Sequence, residues 1–349
     1  MPVVGSHPEG CRATAWFACG DLLFSQLMAH QAFFLTSKES MKTIFSRPSM
    51  TGVGVWAALF CTMWTSAQMP KGAIGIAYQF SHSVNDSPSF SPDGEEMVFI
   101  SVVAGKEQLF RMRLDGTQVV ELTRDDADHE DPAWSPDGKH IAFVLLRNGL
   151  EQIHLMNTDG TGVEPLTPAE VKTIHPNWNP DGKSIAFCTD DDLKPPKKNP
   201  AEIDTIEIAS RKITKLIGGG VNTYPAWSPD GKKIAFRRML GESNSEVFLA
   251  NADGTGAHDL TNDPAFDGWP AWSPDGTKIA FASNRRGSYE IYIMNPDGSG
   301  ARKVANNEGR ATAPQWTKYG KSIFFPLCKK VDFSFDCQIY AVKLDAFAK

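Results

Sequence analysis

The chain has 349 residues, of which 41% are hydrophobic and 22% charged, so it carries enough apolar side chains for a folded core and is not a disordered polypeptide. A formal net charge of -6, with no long basic run, excludes the electrostatic footprint of a nucleic-acid binder. The 29 Gly and 23 Pro favour many tight turns over long helices and point to an all-β protein.

From the N-terminus, residues 1–40 carry no repeat and precede a better start at Met41, so they read as an upstream extension. Residues 41–67, MKTIFSRPSMTGVGVWAALFCTMWTSA, have basic Lys42 and Arg47, an apolar run from Val53 to Trp64, and small residues up to Ala67. That is a secretory signal peptide pattern, and the run is too short for a membrane-spanning helix. The expected mature protein starts at Gln68, is periplasmic or secreted, and has no membrane span. Ile74 to Phe80, IGIAYQF, is the first strand-like run after it.

Residues 88–349 are dominated by an internal repeat. One line recurs six times: PSFSPDGEEMVFIS from Pro88, PAWSPDGKHIAFVL from Pro132, PNWNPDGKSIAFCT from Pro176, PAWSPDGKKIAFRR from Pro225, PAWSPDGTKIAFAS from Pro270 and PQWTKYGKSIFFPL from Pro314. A second line follows, as in EQLFRMRLDGTQVVELT from Glu107 and YEIYIMNPDGSGARKVA from Tyr289. Each unit therefore reads as four short antiparallel strands, with tight turns at Ser-Pro-Asp-Gly and Asp-Gly-Thr. Units of this length, repeated six times, predict an all-β, six-bladed β-propeller with four-stranded blades. The sixth unit ends without its fourth strand, and Ile74 to Phe80 sits where that strand would fall. The N-terminal strand is expected to complete the last blade and close the ring.

Three cysteines follow residue 67. Cys328 and Cys337 flank a short turn between two strand-like runs, so in an oxidising compartment they are the candidate disulfide, and Cys188, beside Ile-Ala-Phe, is expected to be a buried thiol. The third unit has five extra residues, placed in TDDDLKPPKKNP from Thr189 to Pro200, a stiff basic protrusion. No Gly-x-Ser-x-Gly, phosphate loop, dinucleotide fingerprint or zinc-type Cys/His spacing occurs.

The Ser-Pro-Asp-Gly-x-x-Ile-Ala-Phe line resembles the propeller domain of TolB and its WD-like relatives, over roughly residues 73–349. The resemblance covers the propeller and not the N-terminal α/β domain of TolB, because only Gln68 to Ala73 lie between the expected cleavage point and the first strand. It implies a non-catalytic binding module whose partner is an envelope protein such as the peptidoglycan-associated lipoprotein, and with no sign of oligomerisation in the sequence a monomer is expected. It also implies that the two kinds of tight turn share one face of the ring and that ligands meet the other. The residues before the six prolines, Ser87, Asp131, His175, Tyr224, Trp269 and Ala313, should then surround the channel mouth, with Asp267 in reach of it. Trp269, outside the aligned tryptophan position, is the candidate exposed anchor.

No cofactor is required by this reading, but a divalent metal is the alternative to weigh. His82, His129 and His175 fall in consecutive loops of that face beside carboxylates, a set suited to a metal or to acid-base work. They lie six, three and one residues before their prolines, so they do not share one geometry. Related propellers that degrade oligogalacturonates use a metal in this region, which makes a glycan binder or metal-dependent carbohydrate-active enzyme the competing expectation. The string DDADHED from Asp125 to Asp131 lacks the spacing of a calcium loop.

Overall fold

The Ser-Pro-Asp-Gly line makes a hairpin because each of its residues satisfies a turn group. In the first copy Ser91 Oγ donates to Asp93 Oδ1 (2.6 Å), the Glu95 N–H donates to the same oxygen (2.9 Å), and the Gly94 N–H donates to Ser91 O (2.9 Å). Gly94 is free to take the left-handed φ of +76° that this turn requires. The serine-to-aspartate bond recurs at Asp137, Asp230 and Asp275, and in all four it holds the carboxyl below the usual carboxylate range. The Asp-Gly-Thr turns repeat the device, with Thr161 Oγ1 donating to Asp159 Oδ1 (2.6 Å). These aspartates are turn residues.

The computed structural model describes residues 76–77, 85–189, 200–304, 308–331 and 334–344. They form an all-β, six-bladed propeller of four-stranded antiparallel blades, and in blades 1 to 5 the strands lie in sequence order. Blade 1 runs from Asn85–Phe90 through Glu96–Val103 and Lys106–Arg113 to Val120–Glu121, and blade 2 from Asp128–Trp134 to Glu164–Pro165. Blade 3 starts at Ile174–Trp178, blade 4 at Val221–Trp227 and blade 5 at Asp267–Trp272. Blade 6 has a first strand in two pieces, Arg310–Ala311 and Gln315–Trp316, followed by Ser322–Val331 and Ser334–Lys343. Its fourth strand is Ile76–Ala77, which pairs antiparallel with Ala341 and Tyr340. The expected closure by the N-terminal strand is thus what the chain uses. In the last hairpin Cys328 faces Cys337 in register, and the two are disulfide-bonded.

The core is divided into six apolar layers, one in each gap between neighbouring blades. The layer that joins blade 6 to blade 1 contains Met97, Phe99, Met112, Phe324, Ile339 and Ala341, with Phe90 edge-on to Phe324 at 5.1 Å. Second strands are covered on both faces, which explains their unbroken apolar runs, and Phe143, Phe187, Phe236 and Phe281 are fully buried. Each such side chain contributes about 1.5–3 kcal/mol through burial. The aligned tryptophans tie blade to blade. Trp178, Trp272 and Trp316 donate Nε1–H to the carbonyls of Ala133, Ala226 and Ala271 one blade earlier, at 3.0–3.1 Å. Neighbouring turns approach closely on their face, where a Cβ on Gly138 would meet Pro92 at 3.2 Å and one on Gly94 would meet Lys318 of blade 6 at 2.9 Å.

Candidate functional site at the pre-proline mouth

A proline inside a first strand cannot donate to the ladder, and the chain resolves this with one extra residue. In blade 1 the pairing passes from Asp86 with Ile100 to Ser89 with Val98, three residues against two, and blades 2 to 5 show the same shift. The residue before each proline takes a left-handed conformation: Ser87 φ 48°, Asp131 48°, His175 54°, Tyr224 54°, Trp269 54° and Ala313 43°. For side chains other than glycine this costs on the order of 1 kcal/mol or more at each position. The strained conformation thus recurs once per blade and carries six different side chains.

Several of these side chains meet their neighbours. Asp131 Oδ2 lies 3.6 Å from His175 Nε2, and His175 stacks on Tyr224 with ring centroids 3.8 Å apart. Tyr224 tilts against Trp269 at 5.3 Å, and Trp269 packs on Phe266 and, edge-on, on Tyr289. Trp269, expected as an exposed anchor, is half-buried in this aromatic cluster. Behind His175, Nδ1 lies 2.9 Å from the sulfur of the buried Cys188.

The two sides of the mouth differ in charge. Towards blades 1 and 2, Asp86 accepts the Ser87 N–H (2.5 Å), and burial raises its carboxyl above the usual range against the lowering effect of Ser87 and Arg310. Burial, then the like charges of Glu130, Asp86 and Asp128, pushes Glu107 up to about 8. Towards blades 4 to 6, Arg237 stands 4.7 Å from the Tyr224 ring, 5.3 Å from Phe266 and 5.5 Å from Trp269. Arg310 lies 4.8 Å from the Tyr289 ring and 6.0 Å from Trp269.

The remaining sequence candidates are placed elsewhere. His129 alternates with Asp128 and Glu130 on the first strand of blade 2, so it turns inward, 2% exposed and 5.6 Å from the Phe143 ring. Burial holds its imidazole below the ordinary range. Asp267 has no solvent contact and receives Arg285 Nη2 at 2.7 Å, which makes it a buried ion pair of blade 5, not a group facing the opening. His82 and the Pro195-Pro196 protrusion lie outside the described residues. Among the described residues no three His, Cys, Asp or Glu side chains come together as a group that could hold a metal ion. Sequence reading missed Glu107, Arg237, Phe266, Tyr289 and Arg310.

The family model of the TolB beta propeller domain matches residues 72–216 and 196–345, nearly the whole of the propeller. The chain belongs to that family. Among solved structures, this TolB-type propeller is similar to a protein assigned as TolB from Agrobacterium tumefaciens (22% identity, 76% of this chain and 91% of that one, TM-score 0.59). TolB from Acinetobacter baumannii is also similar (18%, 77% of this chain, TM-score 0.57), although this chain spans only 65% of its length. Oligogalacturonate lyase from Vibrio parahaemolyticus shares the fold as well (14%, 80% and 93%, TM-score 0.51). No curated protein matches the TolB-type sequence. Identities this low establish a common propeller and leave activity to the site itself. Among the described residues no helix is long and apolar enough to cross a membrane.

Proposed function

We propose that this chain is a non-catalytic binding module of the cell envelope. It is exported to the periplasm by a signal peptide at residues 41–67 and takes a segment of another envelope protein into the pre-proline mouth. Family membership supports the kind of module. The observation that carries the reading is the left-handed ring itself, because strain repeated at six positions with no shared side-chain chemistry suits recognition of a partner better than one reaction centre. A peptidoglycan-associated lipoprotein is the first partner to try.

The test is capture from envelope extracts by protein expressed from Met41 and exported to a periplasm, with Trp269→Ala beside it. A defined envelope protein retained by the wild type and lost in the variant is the expected result. Metal content measured by mass spectrometry on the same protein provides the opposing outcome. A stoichiometric metal that disappears in His175→Ala would replace the binding module with metal-dependent carbohydrate chemistry.

A further inference from the structure

Among the described residues, Arg237 is a buried charge without a counter-ion. It is 2% exposed, its Nε donates to Thr223 Oγ1 at 2.8 Å, and its Nη2 is buried with no hydrogen-bond partner. Among the described residues no carboxylate lies within ion-pair distance of it, although the chain is acidic and Arg285, one blade away, has both Asp263 and Asp267. The stem is placed deliberately. A Cβ on Gly268 would come within 2.8 Å of Arg237 Cδ, so the glycine beside Trp269 makes room for it. Three aromatic faces around the guanidinium offset part of its desolvation and leave Nη2 without an acceptor. Arg310 is exposed, faces the same Trp269 ring, and among the described residues has no ion pair either.

We propose that Arg237 and Arg310 form a carboxylate-binding site at the mouth, which receives one Asp or Glu side chain of the bound partner segment. The inference rests on the protein-binding reading above and names the chemistry of the partner. A planar carboxylate matches the guanidinium fork and supplies the hydrogen-bond acceptor that Nη2 lacks, while Arg310 at the rim attracts it. Across the mouth, the carboxylates of Glu130 and Asp131 repel a second negative charge. The site therefore suits a peptide with a single acidic residue and disfavours a polyuronate, which carries a carboxylate on every sugar.

The experiment uses random 12-residue peptides displayed on phage and selected on the exported wild-type protein. Selected sequences are then synthesised in acid form and with each Asp or Glu replaced by its amide. Wild type is expected to select peptides with one acidic position in common, and the amide form should bind about tenfold more weakly, or about 1.4 kcal/mol. Arg237→Met should bind both forms equally, with a melting temperature equal to or above wild type because an unpaired buried charge has been removed. Should it melt lower, Arg237→Lys keeps the charge, loses the fork and serves the same comparison. Arg310→Gln should slow association and flatten its salt dependence. Equal binding of acid and amide forms to wild type, with Trp269→Ala still losing both, overturns the carboxylate site and leaves the protein-binding reading standing. Selection of polyacidic peptides also overturns the single-carboxylate site. Recovery of no peptide by wild type overturns the two readings together.

Discussion

The two ends of the propeller channel are built from the same repeat and obey opposite rules. At the turn end, Ser-Pro-Asp-Gly recurs in four of the six blades, its carboxylates satisfied by the adjacent serine hydroxyls and backbone N–H groups. At the pre-proline end the backbone repeats, in φ and in bulge, while the side chains change from serine to aspartate, histidine, tyrosine, tryptophan and alanine. Where side chains complete their own turn, variation is costly and the repeat stays legible. Where a strained backbone only holds a side chain up, the residue is not bound by the chemistry of a turn and varies from blade to blade.

The largest expected effect concerns the closure that both ends share. Deletion of residues 68–80 leaves the last blade with three strands and an open edge, and circular dichroism on heating should show a large fall in melting temperature or no cooperative transition. Truncation of one inter-blade layer is next. Phe281→Ala should cost about 3–5 kcal/mol in denaturant unfolding, and a loss under 1 kcal/mol would mean that the blades are not held by these layers.

A smaller change tests whether the pre-proline end is strained. Ala313→Gly should be neutral or stabilising by up to about 1 kcal/mol, because glycine takes φ 43° without a Cβ clash, whereas glycine within an ordinary strand destabilises. A clear loss of stability there would remove the strain argument. The subtlest effect is electrostatic. Glu107, raised from 4.5 to about 8, binds a proton in the folded state that the unfolded chain has already lost between those two values. Its contribution makes stability fall as pH rises through that window. Glu107→Gln should flatten that part of the profile, read as melting temperature between pH 5 and pH 8, and should gain most over wild type at the upper end.

The fold was readable because its rules are local. Proline, aspartate and glycine at set spacings define the hairpins of five blades, and six copies of the line remove the ambiguity of any one. The positions that ring the mouth were readable for the same reason, as each is marked by the proline that follows it. Their surroundings were not. His129 looked like a loop ligand, but the two-residue period of the strand carried it to the inner face against Phe143. Asp267 stands two residues from Trp269 and is consumed by Arg285. Arg237 comes from the second strand of blade 4, and its rings come from the 4–5 connection and from the first strands of blades 4 and 5, so no sequence window contains the cluster. Its one trace is Gly268, whose missing side chain has meaning only once the neighbouring blade is in place.

The closing strand joins the two ends of the chain, and this shapes how the protein reaches its folded state. Ile76–Ala77 precedes every blade in the chain, yet its pairing partner in Ser334–Lys343 comes last. Until that partner arrives, an almost finished molecule presents a bare strand edge, and a second molecule carries the segment that fits it. Two chains that trade their leading strands satisfy the same backbone hydrogen bonds as two that close on themselves. Refolding at high protein concentration is therefore expected to raise the share of strand-exchanged dimer over self-closed monomer, to be read by size-exclusion chromatography.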